Sequence, residues 1–202
     1  MPHTPKACIT NLAIPTSLSE FEGMLEKNTN AQGQPWTDLE TVLYPGTGIP
    51  LMWSGLSQMH ARDFLFFYHG VSSVARLRTL LRTAQRQRSD PSLIAILERS
   101  LVLAQRYGGT IFGCGLVGGT TEFHAQPPQG EFHFYNRQFA PIERVNLFDN
   151  PLPYAQFKHS VPISRFQAVT RLTTERLAAL KAAFHASQEV LPAYIRETTI
   201  LG

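Results

Sequence analysis

The sequence has few cysteines, few lysines and no long apolar run, and the first and last of these each exclude a class of protein. Its 202 residues include two cysteines, Cys8 and Cys114, so a framework of several disulfides is excluded. No apolar run reaches the roughly 18 residues that a membrane-spanning helix needs. We therefore expect a cytoplasmic protein with no membrane partner, in which Cys114 is a buried, reduced thiol.

The shortage of lysine leaves arginine as the dominant basic residue. Only four of the 18 basic residues are lysines, and the formal net charge is +3. The planar guanidinium of arginine forms bidentate hydrogen bonds with phosphate and stacks on rings. GC-rich coding produces the same bias, so composition alone leaves a nucleic-acid partner open without requiring one.

Periodicity predicts both strands and helices. Helical spacing of apolar residues predicts a helical hairpin with Asp90 as the N-cap of its second helix, and a C-terminal helix capped by Thr173. The residues Asp149-Asn150-Pro151 predict a turn. Aromatic-rich or alternating segments predict strands at residues 7–14, 64–69, 110–117, 131–137 and 142–148.

The order of these elements indicates the fold class. Most strands follow one another without an intervening helix, which favours α+β. We expect a small, partly open, mostly antiparallel β-barrel with helices at its end or edge. Residues 1–202 form one domain on this prediction, and the hairpin, residues 73–109, is an insertion within it.

Local catalytic and metal-binding motifs are absent from the sequence. The glycines around Cys114 lack the spacing of a phosphate loop, and no zinc or serine-nucleophile motif occurs. Glycine within a strand instead indicates close approach of a ligand or another backbone, or a bend in a barrel. We predict no metal, no cofactor and no catalytic residue.

The clearest electrostatic feature is the first helix of the hairpin. It carries Arg76, Arg78, Arg82 and Arg86, which form either a solvated face or a phosphate-binding one. A strand rich in aromatic residues precedes this helix. Rings at Trp53, Tyr68 and His69 are suited to stacking on a base.

Three segments, in their order and spacing, carry a family resemblance. They are Phe-Leu-Phe-Phe-Tyr-His at 64–69, Ile-Phe-Gly-Cys-Gly-Leu-Val at 111–117, and the stretch from Val145-Asn-Leu-Phe-Asp-Asn-Pro-Leu-Pro153 through Ile163-Ser-Arg165 to Val169-Thr-Arg-Leu172. This pattern resembles EVE-type domains of the PUA-like superfamily.

The resemblance implies a partly open barrel that holds a modified or flipped base in an aromatic pocket, often in restriction or anti-phage systems. It implies that Tyr68, His69 and Gly70 line the pocket, that Trp53 adds a ring, and that Ser164 and Arg165 border it. Extruding a base from its stack has a free-energy cost that such rings offset.

We therefore expect a non-catalytic module that binds nucleic acid, DNA in preference to RNA. Two alternatives remain open. One is an enzyme acting on a nucleotide-like substrate, with His69 or His133 as general base. The other is a protein-interaction subunit that docks a partner through the helical hairpin.

Overall fold

A computed structural model of the chain describes residues 4–12, 14–27, 49–51, 59–117, 122–124, 137–140, 142–163 and 169–198. In this part of the chain, no helix is long and apolar enough to cross a bilayer. The elements are β1 (Ala7–Leu12), α1 (Leu18–Lys27), β2 (Ile49–Leu51), β3 (Phe64–His69), α2 (Ser73–Gln87), α3 (Pro91–Tyr107), β4 (Thr110–Val117), β5 (Glu122–His124), β6 (Arg137–Ala140), β7 (Ile142–Pro153), α4 (Tyr154–Phe157), β8 (Val169–Arg171), α5 (Thr174–Ala186) and α6 (Ala193–Arg196).

Five strands form the main sheet, in the order β7-β4-β3-β1-β8. The pair β1 and β3 is parallel, and the other neighbouring pairs are antiparallel. The predicted α+β class and the mostly antiparallel pairing are confirmed. The predicted barrel is wrong for the described strands, because β7 and β8 lie at opposite edges of an open sheet and β2, β6 and β5 form a separate one.

Helices cover both faces of this sheet, rather than its end or edge as predicted. Successive side chains of a strand point to opposite faces. Leu65 and Phe67 of β3 therefore pack with the hairpin helices α2 and α3, whereas Phe64 and Phe66 pack with α5 and α6. Every residue of β3 is buried, so the strand needs an apolar cover on each side.

The carboxylate of Asp63 fixes the start of the parallel pair. Asp63 is buried and accepts hydrogen bonds from the backbone N–H groups of Lys6, at 2.7 Å, and His60, at 2.9 Å. The Phe64 N–H in turn donates to the Lys6 carbonyl. These bonds set Ala7 opposite Phe64, and so they bring the carboxyl ends of β1 and β3 to the same edge of the sheet.

The helical hairpin has the boundaries that its sequence predicts. The Asp90 carboxylate accepts from the Ser92 N–H at 2.7 Å, with Pro91 at the first helical position. Gly108 ends α3, and Gly109 follows with a φ of 77° in the left-handed region that glycine adopts readily. The turn at Gly109 leads directly into β4.

The turn predicted at Asp149-Asn150-Pro151 is wrong, because β7 continues through it to Pro153. The physical reason is the position of β7 at the sheet edge, where a proline removes no hydrogen bond from a second neighbour. The Asn150 N–H donates to the Glu189 carboxylate at 2.8 Å. A side chain thus satisfies this backbone group of the edge strand.

The glycine at position 113 allows two backbones to come close. A Cβ on Gly113 would lie 2.7 Å from the Asn146 carbonyl oxygen of β7 and 3.3 Å from the Phe67 ring. The register between β4 and β7 shifts next to this position. Among the interpretations open for this glycine, the described contacts favour close approach of another backbone.

Candidate functional site

A cleft of about 770 Å³ opens where the carboxyl ends of β1 and β3 meet the start of α2. Asn11 of β1 and Tyr68 of β3 line it, because the parallel pairing brings these strand ends together. The connection from β3 to α2 and the segment from Pro153 to Lys158 also line it. Ligands commonly bind at the carboxyl ends of parallel strands, so the topology makes this cleft the leading candidate site.

Two tyrosines form an aromatic wall in the cleft. The rings of Tyr68 and Tyr154 have centroids 5.7 Å apart, and Phe157 meets the Tyr68 ring edge-on at 6.2 Å. Tyr68 is almost fully buried, whereas Tyr154 is half-buried. Tyr68 is therefore the buried inner ring of the wall, and Tyr154 is the outer ring that water and ligands can reach.

The Tyr68 hydroxyl keeps its proton at neutral pH. Burial, and then the neighbouring Tyr154, raises the pKa of Tyr68 to about 12, although a backbone hydrogen bond at Val71 lowers it in part. A protonated phenol both donates and accepts hydrogen bonds. Tyr68 can thus contribute a polar contact as well as a ring edge.

The charged residues of the cleft are all cationic. Arg76 is partly buried, and its Nη1 donates to the Ile14 carbonyl at 2.6 Å. Lys158 is exposed and also lines the cleft, and no aspartate or glutamate lines it in the described part of the chain. Anions are therefore attracted to the cleft.

Two polar atoms beside the cleft lack hydrogen-bond partners among the described residues. The Asn11 Oδ1 and the Ser73 Oγ are buried, and no described residue forms a hydrogen bond with either. Buried polar atoms in folded proteins almost always have a partner. Both residues line the cleft, so a ligand is a reasonable source of the missing hydrogen bonds.

Of the six base-pocket residues predicted from sequence, the structure brings Tyr68 and Gly70 into the cleft. The remaining described one, His69, is fully buried and does not line it. Strand alternation explains the difference, since His69 shares the face of Leu65 and Phe67, opposite to Tyr68. Trp53, Ser164 and Arg165 lie outside the described residues.

His69 is buried away from water. No described residue forms a hydrogen bond of normal geometry with either ring nitrogen. Burial lowers the pKa of His69 to about 4, and the adjacent Gly70 backbone opposes this shift only in part. The imidazole is neutral at pH 7 and has no access to the cleft, which disfavours it as a general base there; His133 is not described.

The four predicted phosphate-binding arginines divide into two groups. Arg76 lies in the cleft, whereas Arg78, Arg82 and Arg86 are exposed along α2. Helical geometry accounts for this, since residues two apart differ by about 200° around the axis and residues four apart by about 40°. We call the three exposed residues the arginine row; it continues away from the cleft.

The apolar side of the hairpin is already occupied. Leu77, Leu80 and Leu97 are buried between the hairpin and the sheet. The solvent side carries the arginine row and single exposed apolar residues such as Val102. A protein partner would thus meet a mainly basic surface, and docking through the hairpin stays a prediction.

The described residues contain no cluster of three or more histidines, cysteines or acidic residues that could hold a metal. Cys8 and Cys114 are both free and buried. Burial raises the pKa of each thiol to about 12, and the Cys114 Sγ lies 3.4 Å from the Tyr194 hydroxyl. Neither thiol has the character of a nucleophile.

Several lining residues were not predicted from sequence. Asn11, Ser73, Tyr154 and Lys158 reach the cleft through the β1–β3 pairing and the position of α4. One sequence signal was available: a strand ends and a helix begins within residues 69–73, which places these residues at the edge of the sheet. It would have indicated the two serines, Ser72 and Ser73, but not the residues from distant segments.

Comparison with known proteins gives no family assignment. A scan against protein-family models and a search of curated protein sequences both found no match to this chain. The EVE-type resemblance stays a prediction that depends on the motifs at 64–69, 111–117 and 145–172.

Proposed function

We propose that this protein is a non-catalytic nucleic-acid-binding module that holds one flipped base in the cleft. One observation carries the proposal: an aromatic wall and two cations share a cleft that no described acidic residue lines. Ligand pockets range from about 300 to 1,000 Å³. The cleft volume of about 770 Å³ is sufficient for a nucleotide.

The aromatic wall supplies the stacking that a flipped base loses. Tyr154 offers a half-buried ring, and Tyr68 behind it holds that ring at a centroid distance of 5.7 Å. Stacking on an aromatic side chain is worth about 1–3 kcal/mol per base, comparable to the few kcal/mol that unstacking costs. The Asn11 Oδ1, which has no partner among the described residues, provides an acceptor for an N–H on the base edge.

The arginine row supports binding of the strand that carries the base. Arg78, Arg82 and Arg86 lie four residues apart, which corresponds to about 6 Å of rise between neighbours. Helix α2 contains no aspartate or glutamate to neutralise them. Each phosphate contact releases counterions, so we expect affinity to fall steeply with salt.

The family, the kind of base and the biological setting are part of the same proposal. The three motifs support an EVE-type, PUA-like module that reads a modified base, in DNA in preference to RNA, in a restriction or anti-phage setting in the cytoplasm. The open sheet of the described strands differs from the partly open barrel that the resemblance implies. The motifs and the pocket chemistry, rather than the shape of the sheet, support the assignment.

A fluorescence-anisotropy titration with single-stranded and duplex oligonucleotides tests the proposal. We expect Tyr154→Leu to weaken binding roughly tenfold at every salt concentration, because about 1–3 kcal/mol of stacking is lost. A matched control is Tyr194→Leu, which removes a partly buried ring that does not line the cleft. Absence of binding to any strand, or equal losses in both variants, would refute the proposed function.

A further inference from the structure

Helix α2 begins at the cleft without the groups that usually neutralise a helix start. Its N-cap, Ser72, makes no side-chain capping hydrogen bond, and the first turn contains no acidic residue. The first N–H groups of a helix have no acceptor within it and form the positive end of its dipole. Arg76 adds a full positive charge there, so an anion would relieve an unfavourable arrangement.

A second observation at the same place points to a ligand. Ser73, the first residue of α2, lines the cleft and is only 1% exposed, yet its Oγ has no hydrogen-bond partner among the described residues. The Ser73 N–H already donates to the Gly70 carbonyl at 3.1 Å, so the hydroxyl is its unused donor. A ligand with a hydrogen-bond acceptor would give the Ser73 hydroxyl its missing partner.

We propose that the start of α2, with Ser73, Arg76 and Lys158, is a phosphate subsite that takes a phosphate ester. This inference builds on the proposed function, because the ester is that of the nucleotide whose base lies against Tyr154. Backbone N–H groups and the helix dipole favour phosphate at this end of a helix. Both cations line the cleft and add charge-assisted contacts.

An NMR titration with inorganic phosphate, at ionic strength held constant with chloride, tests the subsite directly. We expect saturable shifts of the backbone amide signals of residues 72–75. Ser73→Ala should weaken phosphate affinity about tenfold, since a hydrogen bond to a charged group is lost. The stability of this variant should not fall, because the deleted hydroxyl has no partner among the described residues of the folded protein.

Variants of the two cations provide independent tests. Arg76→Gln should abolish the saturable shifts, but Arg76 also bonds the Ile14 carbonyl, so its fold must be checked. Lys158→Gln changes an exposed residue and should weaken phosphate binding several-fold without unfolding. The control is Arg88→Gln, which removes the same charge just past the end of α2, about 18 Å from Arg76 along the helix axis, and should leave phosphate affinity unchanged.

Three probes separate failure of the subsite from failure of the proposed function. Inorganic phosphate, thymidine 5′-monophosphate and single-stranded oligothymidine are titrated in turn. Oligothymidine binding without a saturable phosphate shift at residues 72–75 would overturn the subsite and leave the nucleic-acid function intact. Phosphate and monophosphate binding there, without oligothymidine binding, would support the subsite, assign it to a free nucleotide and overturn the nucleic-acid function.

Discussion

Replacing His69 by leucine should make the protein more resistant to acid. His69 is fully buried, and its pKa lies at about 4, against 6.5 for a solvated histidine. Because the folded-state pKa is lowered, protonation favours the unfolded chain, and stability is lost as the pH falls from 6.5 through 4. Because of this shift, protonation of His69 lowers the free energy of unfolding by about 2 kcal/mol at pH 5 and by about 3 kcal/mol at pH 4.

The assay is urea unfolding of wild type and His69→Leu at pH 7.5, 5 and 4. The difference between the two free energies isolates His69, because the other titrating groups are common to both proteins. At pH 7.5 the variant should be as stable as wild type or more so, since no ring nitrogen loses a partner among the described residues. His159→Leu, at an exposed histidine, is the control and should track wild type. If the free energy of unfolding falls with pH equally in wild type and His69→Leu, the reasoning is refuted.

Three further predictions concern the fold. Gly113→Ala should destabilise the protein by about 1–3 kcal/mol, because its Cβ would lie 2.7 Å from the Asn146 carbonyl oxygen. Gly23→Ala in α1, where no described neighbour lies within 4 Å of the new Cβ, should stabilise the protein by roughly 0.5–1 kcal/mol, and thermal unfolding of both variants tests this. Asp90→Ala should cost about 1 kcal/mol by losing the cap bond to the Ser92 N–H, and Asp90→Asn should retain most of it in urea unfolding.

Local elements were predictable from sequence where local chemistry decides them. The strands at Phe64–His69 and Thr110–Val117 have the predicted bounds, because aromatic and β-branched runs end at glycine or turn residues. The caps at Asp90 and Thr173 were equally local. These signals depend on residues within a few positions of one another.

Strand order was not predictable in the same way. The parallel pairing of β1 with β3 depends on Asp63, which joins the backbones at Lys6 and His60 from different parts of the chain. The continuation of β7 past Asn150 depends on its edge position and on Glu189. Tertiary context therefore outweighed the turn propensity of these residues.

The candidate site was predictable only in the segment that is contiguous in sequence. Tyr68, Gly70 and Arg76 lie within nine positions of one another and do line the cleft. The alternation of side chains along β3 is itself a sequence property, and it places His69 on the face opposite to Tyr68. Tyr154 and Lys158 come from a helical turn more than 80 positions further along the chain, and no local pattern links them to Tyr68.

The most direct test of the central claim asks where a bound base lies. A single-stranded oligonucleotide with one 5-iodouracil is cross-linked to the protein by ultraviolet light, and the modified peptide is mapped by mass spectrometry. We expect the adduct on Tyr154 or Tyr68, and its loss in Tyr154→Leu. Cross-links confined to α2 near Arg78, Arg82 and Arg86, with none in the cleft, would contradict the claim.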